Sequence, residues 1–101
     1  MDFDKLLEQA QKMQKDLERL SEEMNVAEFE GSASNGLVKV TINGDMRLLS
    51  VDISEEILNK DDKEMVQDLL VIAFKNAADK VDAMRNEKLS AATGGLGLPR
   101  F

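Results

Sequence analysis

Residues 36–44 read Gly-Leu-Val-Lys-Val-Thr-Ile-Asn-Gly, and this short stretch decides the fold. Its three β-branched apolar residues alternate with polar side chains, which is the period of a strand with one buried face. Asn-Gly pairs stand at both ends, at residues 35–36 and 43–44, and Asn-Gly is the strongest short-range signal for a hairpin turn. The stretch therefore predicts the middle strand of an antiparallel sheet.

The segments on either side repeat the two-residue period. Residues 27–33 alternate Ala, Phe and Gly with Glu and Ser, and residues 49–53 alternate Leu, Val and Ile with Ser and Asp. With a turn at each end of the middle strand, these runs predict a three-stranded antiparallel meander with one apolar face. Leu49, Val51 and Ile53 are expected on that face.

Residues 3–24 follow a helical period instead. Apolar residues are spaced by four and three in strict alternation, and neither Gly nor Pro interrupts them. This spacing predicts a long amphipathic helix with a narrow apolar seam, the kind that packs against another helix. The seam consists of Phe3, Leu6, Ala10, Met13, Leu17, Leu20 and Met24.

A second long helix is predicted for roughly residues 62–90. Before it, Ser54 can cap a single helical turn, and Asp61 with Glu64 resembles a capping box. Ten of the 14 residues in 65–78 are hydrophobic, so this part of the helix needs cover on more than one side. The predicted order is helix, three-stranded meander and long helix, an α+β fold of the form α-β-β-β-α.

The 101 residues suffice for one domain, which we place at residues 1–90. Residues 91–101 contain three Gly and one Pro and are predicted to form a flexible tail. Two long helices cannot both lie flat on three short strands, so the surplus apolar surface predicts an intertwined homodimer. The residues expected in the core or the dimer interface are Leu6, Met13, Leu17, Leu20, Leu69, Leu70, Phe74 and Val81.

Composition argues against an enzyme. The chain has no Cys and no His, so it lacks thiolate ligands, the usual general base and the commonest metal ligand. The glycines at 94–97 follow no predicted strand, and the acidic residues from 52 to 64 do not fit a calcium-binding loop. We therefore expect no catalytic residue, metal, cofactor or small-molecule substrate.

The pattern also argues against a membrane segment. The longest apolar run is residues 69–74, against about 20 residues for a spanning helix. The first residues are acidic and lack the apolar stretch of a signal peptide. A soluble, cytoplasmic protein is expected.

The charge of the chain gives conflicting indications about nucleic-acid binding. Lys and Arg number 13 and Asp and Glu number 20, for a net charge of −7, and an acidic chain is a poor starting point for binding phosphates. Lys12, Lys15 and Arg19 lie among glutamates and fit a solvated, salt-bridged helix face. Only residues 83–101 are net positive, with three cations against one acid. From composition alone, the chain is a small dimeric interaction module.

Several segments of the sequence resemble the YbaB/EbfC family, in order and over nearly the whole chain. They are residues 9–14, 36–44, 49–53, 62–65, 69–70 and 73–77, together with the Gly-Leu-Pro of the tail. The resemblance implies a small bacterial nucleoid-associated protein with an α-β-β-β-α protomer, a tweezer-like homodimer and double-stranded DNA as its partner. It implies no catalytic activity and no cofactor, and it suggests a role in nucleoid organisation, gene expression, recombination or repair.

The resemblance implies DNA contacts on the helical arms but transfers no individual residue. Charge geometry therefore selects the candidates, and sheet cations such as Lys39 and Arg47 are expected to matter less. No helix carries base-reading side chains at groove spacing, so little sequence specificity is expected. The alternative is a dimeric protein–protein adaptor with weak or indirect DNA association. The candidate DNA-binding residues are Lys12, Lys15, Arg19, Arg85, Lys88 and Arg100.

Overall fold

The structure, a computed structural model, describes residues 2–93. Its three strands form one antiparallel sheet in the order β1-β2-β3, which confirms the predicted meander. Two short 3-10 turns, Glu55–Ile57 and Lys60–Asp62, connect the sheet to the last helix. The elements are α1 (Phe3–Val26), β1 (Glu28–Ala33), β2 (Val38–Asn43), β3 (Leu48–Ile53) and α2 (Lys63–Thr93). The α-β-β-β-α order is the predicted one.

Polar side chains mark where the helices begin. At α1, the Asp4 N–H donates to Asp2 Oδ1 at 3.2 Å. Ahead of α2, the Asp62 N–H donates to Asn59 Oδ1 at 3.0 Å, so Asn59 caps the 3-10 turn Lys60–Asp62 that leads into α2. Within residues 2–93, neither helix combines the length and apolar character needed to cross a membrane.

The end of α2 differs from the sequence-based boundary. The helix continues to Thr93, so residues 91–93, which were predicted to belong to the tail, are helical. Ala91 and Ala92 favour helix, and the first glycine comes only at Gly94, which explains the later end. The rest of the predicted tail, residues 94–101, lies outside the described residues.

The two predicted turns have different geometries. Between β1 and β2, Ser34, Asn35 and Gly36 all have positive φ, and Gly36 reaches 89°. Between β2 and β3, Asn43 Oδ1 accepts the N–H groups of Asp45 and Arg47 at 2.9 and 3.0 Å. Both Asn-Gly pairs therefore mark turns, as predicted.

The core lies between α2 and the first two strands. Val38, Val40 and Ile42 of β2 are at most 2% exposed and pack with residues of α2. Gly31 of β1 lies directly under α2, where a Cβ atom would collide with the backbone of Ala73. Small residues at this crossing therefore bring helix and sheet backbones into close contact.

The third strand departs from the predicted alternation. A register shift between Thr41 and Ile42 places Leu48, rather than Leu49, opposite Ile42. Leu48 thus joins Val51 on the apolar face, and the expectation for Leu49 is wrong because the shift inserts an extra residue. α2 covers β1 and β2 but leaves Leu48 and Val51 50% and 43% exposed.

The residues predicted for the core or dimer interface fall into three groups. Val81 is fully buried, whereas Leu6 and Phe74 are exposed. The remaining five are half-buried: Met13, Leu17, Leu20, Leu69 and Leu70. The buried core also contains eight residues outside that predicted set, namely Met24, Ala33, Val38, Val40, Ile42, Ile57, Ala73 and Ala77.

Candidate nucleic-acid interface

The two helices form an elongated body. The Cα atoms extend over 70 × 23 × 16 Å. Lys88 Nζ lies 3.3 Å from Glu23 Oε2, and further along α2, Ala91 shares a shallow cleft with residues 16–20 of α1. The C-terminal halves of α1 and α2 therefore lie side by side and run antiparallel. The cleft between them is lined by Asp16, Arg19, Leu20, Glu23, Lys88 and Ala91.

The first half of α1 projects beyond this contact. Phe3 is 75% exposed, and Leu6 and Leu7 are 45% and 50% exposed, although all three are large apolar residues. By contrast, Met24 at the other end of the helix is buried. We call residues 3–15 the arm.

A line of cations follows the arm. Lys5, Lys12 and Arg19 are spaced by seven residues, about two helical turns, so they share one face of α1. Lys15 lies one turn from Arg19. The face of α1 that carries these cations is on the side away from the apolar seam. From Lys5 to Arg19 the line is about 21 Å long at 1.5 Å per residue. We call these four residues the basic stripe.

Most of the basic stripe is available to a ligand. Lys5, Lys12 and Lys15 make no ion pair with any residue in the described part of the chain. Arg19 lies 3.4 Å from Asp16, but its side chain is 70% exposed, and a pair this open to water is weak. Phosphate oxygens could therefore replace its carboxylate partner.

The two candidate cations on α2 are engaged within the protomer. Arg85 Nη2 donates to the Gly44 carbonyl oxygen at 2.6 Å, and Lys88 pairs with Glu23. Lys88 lines the same cleft as Arg19, so the structure brings these two candidates together. Arg85 is directed instead to the β2–β3 turn, and Arg100 lies outside the described residues.

Arg85 belongs to a three-way contact that attaches α1 to the sheet. The Gly44 N–H donates to the Met24 carbonyl oxygen at 3.0 Å, while the Gly44 carbonyl accepts from Arg85. A Cβ atom at Gly44 would overlap the backbone of Met24, so only glycine fits there. We call Met24, Gly44 and Arg85 the joint. Sequence reasoning missed it, because Asn43-Gly44 indicates a turn but not which helix packs on it.

Residues 2–93 contain no group of three or more acidic side chains placed to hold a metal ion. Nor does this part of the chain contain a buried side-chain nitrogen or oxygen without a hydrogen-bond partner.

Comparison with known proteins assigns the chain to a family. Residues 1–96 match the model of the YbaB/EbfC DNA-binding family. This chain belongs to the YbaB/EbfC family. The sequence-based resemblance is thereby confirmed, and the family is defined by DNA binding rather than by a reaction.

Relatives of this YbaB/EbfC protein align over almost its full length. It is 44% identical over 94 residues to a nucleoid-associated protein of Xanthomonas campestris pv. campestris (strain B100), covering 93% of this chain and 87% of the relative. A nucleoid-associated protein of Xylella fastidiosa (strain 9a5c) shows the same identity and covers 93% and 86%. The crystal structure of an uncharacterized protein from Helicobacter pylori is similar with a TM-score of 0.74. It is 28% identical, and the match covers 96% of this chain and 99% of that one.

Proposed function

We propose that this YbaB/EbfC protein is a non-catalytic, nucleoid-associated protein that binds double-stranded DNA as a homodimer with little sequence specificity. The observation that carries the proposal is the basic stripe, three of whose four cations (Lys5, Lys12 and Lys15) lie on an arm projecting from the body of the protomer. Family membership gives the stripe its partner class, because the family is a DNA-binding one. Such a protein acts in the cytoplasm, on the nucleoid.

The stripe suits a duplex backbone better than base edges. Duplex DNA carries about one phosphate per 3.4 Å of axis on each strand, so a 21 Å line of cations spans roughly six phosphates of one strand. Lysines act as flexible point charges and contact phosphates of any sequence. Affinity should therefore depend little on base sequence.

The overall acidity restricts where DNA can bind. With a net charge of −7, most of the surface repels phosphate, and only local positive charge attracts it. Repulsion elsewhere would confine the duplex to the arms. Exposed charges are screened over about 8 Å at physiological salt, so binding should weaken steeply as salt rises.

The proposed dimer rests on an open apolar cleft beside α2. Phe74 lies eleven residues before Arg85, about three helical turns, so both project from the same side of α2. Arg85 reaches the β2–β3 turn, which places Phe74 on the β3 side of the helix. Leu48, Val51 and Phe74 are 50%, 43% and 36% exposed, and we call them the α2–β3 cleft.

The two edges of the sheet differ in a way that favours pairing at β3. At β1, Asn76 Nδ2 donates to the Ser32 carbonyl at 2.8 Å and Lys80 Nζ donates to the Glu30 carbonyl at 2.6 Å. Among the described residues, no comparable side-chain contact covers β3. A second copy seated on the α2–β3 cleft would bury its apolar side chains, and two-fold symmetry would present two arms to one duplex.

The proposal is tested by neutralising part of the stripe. Lys12→Gln with Lys15→Gln removes from each arm two cations that have no ion-pair partner among residues 2–93. Lys60→Gln with Lys63→Gln is the matched control, because those lysines are also exposed and three residues apart but lie at the start of α2. Fluorescence anisotropy with a labelled duplex at low salt should show about tenfold or greater weakening for the arm pair, a change of roughly 1.4 kcal/mol. The control should bind like the parent protein.

Two results would count against the proposal. Equal weakening by both pairs of substitutions would mean that DNA affinity depends on the total charge of the protein and not on the position of the cations on the arm. Failure of the intact protein to bind duplex at low salt would favour the alternative, a protein–protein adaptor. The acidic net charge and the exposed apolar surface are consistent with that alternative.

A further inference from the structure

The apolar seam of α1 is covered by α2 at one end only. Met24 is 2% exposed, and Leu20 is half-buried in the cleft beside Lys88 of α2. Along the arm, Phe3 and Leu6 are 75% and 45% exposed. The four-and-three spacing of apolar residues nevertheless continues there without a break, and this spacing is typical of a surface that packs against another helix. The exposed part of the seam therefore suits a helix as its partner.

The residues that flank the seam determine which helices can pair with it. In a helix pair, these positions lie beside the apolar contact, and their charges attract or repel those of the partner. On the arm they are Leu7, Gln9 and Gln14, all of which are uncharged. Further along α1 they include Asp16 and Glu23, which would repel the same residues of an identical helix. Charge therefore permits two copies of α1 to pair along the arm and opposes pairing along the rest of the helix.

The seam of the arm is complementary to itself when two arms run antiparallel. In one register, Phe3 lies opposite Met13 of the other arm and Leu6 lies opposite Ala10, and symmetry repeats both contacts. The large Leu6 side chain then faces the small Ala10, so the two helices can interlock. The contact is about 15 Å long, from residue 3 to residue 13 at 1.5 Å per residue. Antiparallel helices also place opposite ends of their macrodipoles side by side.

The geometry of the arm makes a second dimer the partner. Antiparallel pairing leaves the two protein bodies at opposite ends of the paired arms, so the bodies do not collide. The basic stripe is on the side of α1 away from the seam, so an arm that binds DNA through its stripe turns its seam away from that duplex. In a dimer whose two stripes contact one duplex, the two seams face outward and cannot meet each other.

We propose that the arms of two dimers pair antiparallel, seam to seam, and thereby hold two duplexes together. This rests on the proposed function, because each dimer brings the duplex that its own stripes bind. The paired segment is only about three helical turns long, so the contact is weak between free dimers. It becomes effective where several dimers lie along the same two duplexes, since each further pair then forms at a high local concentration.

Disulfide trapping without DNA tests the pairing of the arms, because the chain has no cysteine of its own. Leu6→Cys and Ala10→Cys are made in two separate full-length proteins, one of them isotope-labelled, and the proteins are mixed; this is the seam pair. The control pair is Leu6→Cys with Gln11→Cys, since Gln11 is the next residue and about 100° around the helix. A disulfide requires Cα atoms about 4.4–6.8 Å apart.

The seam pair should form heterodisulfides at least about tenfold faster than the control pair. By light scattering, the linked particles should contain four or more chains, because the disulfide joins two dimers. Adding Phe3→Ser to both proteins should remove the advantage, while circular dichroism shows an unchanged helix content. Equal rates for the two pairs, an advantage that survives Phe3→Ser, or particles of two chains would overturn the proposal. Faster linking of Leu6→Cys to itself would indicate parallel arms and would also overturn it.

Capture of a second duplex tests the consequence for DNA. One duplex is fixed to beads, the protein is bound at low salt, and a second, fluorescent duplex is added. Ala10→Glu should lower capture of the second duplex at least about fivefold, because it places charge in the paired seam. Gln11→Glu adds the same charge one residue away and should capture like the parent protein, and both variants should bind a single duplex equally.

The outcomes separate this proposal from the proposed function. Equal capture by the two variants would overturn the proposal, as would a parent protein that binds the first duplex but captures no second one. Failure of the parent protein to bind any duplex would refute the proposed function and with it the link between duplexes, whereas the disulfide rates would still show whether the arms pair.

Discussion

The substitution Gly44→Ala tests how α1 is attached to the sheet, because it adds a single methyl group at their contact. Its amide donates to the Met24 carbonyl at 3.0 Å, and an added Cβ would overlap backbone atoms of Met24. A backbone carbonyl at the end of a helix cannot rotate away as a flexible side chain can. In Gly44→Ala, either the last turn of α1 or the β2–β3 turn must move.

The expected loss of stability follows from these contacts. Overpacking costs about 1–3 kcal/mol, and the lost hydrogen bond contributes about 1 kcal/mol, so the free energy of unfolding should fall by roughly 2–4 kcal/mol. For a domain of this size, each kcal/mol lowers Tm by about 4–8 °C, which gives a fall of roughly 8–32 °C. Thermal unfolding followed by circular dichroism measures it. All variants are compared at one protein concentration, because a dimer's Tm depends on it.

Gly36 is the control, because it is needed for a different reason. Its φ is 89°, and a Cβ there would approach only the end of the Lys39 side chain. Asn tolerates positive φ, so Gly36→Asn should change stability little, whereas Gly44→Asn should be as damaging as Gly44→Ala. The reasoning is refuted if Gly44→Ala changes the free energy of unfolding by less than about 0.5 kcal/mol, the range of an ordinary surface substitution.

Three further predictions concern the core, the dimer and the helix contacts. Gly31→Ala should unfold the protein or lower its stability by about 3 kcal/mol or more, because the new methyl group meets the backbone of α2; urea unfolding measures this. Val51→Asp should give particles of one 11.2 kDa chain by light scattering, whereas Val71→Asp, on the 70% exposed outer side of α2, should leave the dimer intact. Arg85→Glu with Lys88→Glu should lower Tm as well as DNA affinity, since it breaks the bonds to Gly44 and Glu23; an unchanged Tm would contradict the structural role assigned to both residues.

The order of elements could be read from the sequence because it depends on local signals. Alternation at Val38, Val40 and Ile42 and the two Asn-Gly pairs involve neighbours in the chain, and the structure reproduces them. The sequence does not show that Leu48 rather than Leu49 lies opposite Ile42, because the register of β3 is set by pairing across the sheet, where it shifts between Thr41 and Ile42. Local patterns specify the elements, and contacts between elements specify the register.

In the candidate site, too, the features set by local spacing could be predicted from the sequence and those set by distant contacts could not. The spacing of Lys12 and Arg19 is enough to place both on one face of α1. Arg85 and Lys88 also looked like free cations, but their partners Gly44 and Glu23 are 41 and 65 residues away in the chain. Counting charge along a sequence does not show that a cation is also bonded to a distant element of the fold.

Salt dependence of duplex binding tests the central claim most directly. Affinity is measured at several salt concentrations for two duplexes of equal length and unrelated sequence. The two basic stripes of a dimer, with four cations each, can neutralise up to eight phosphates, so the slope of log affinity against log salt should be about −4 to −7 and the same for both duplexes. A slope near zero, or tight binding to only one duplex, would contradict a sequence-tolerant interface built on the basic stripe.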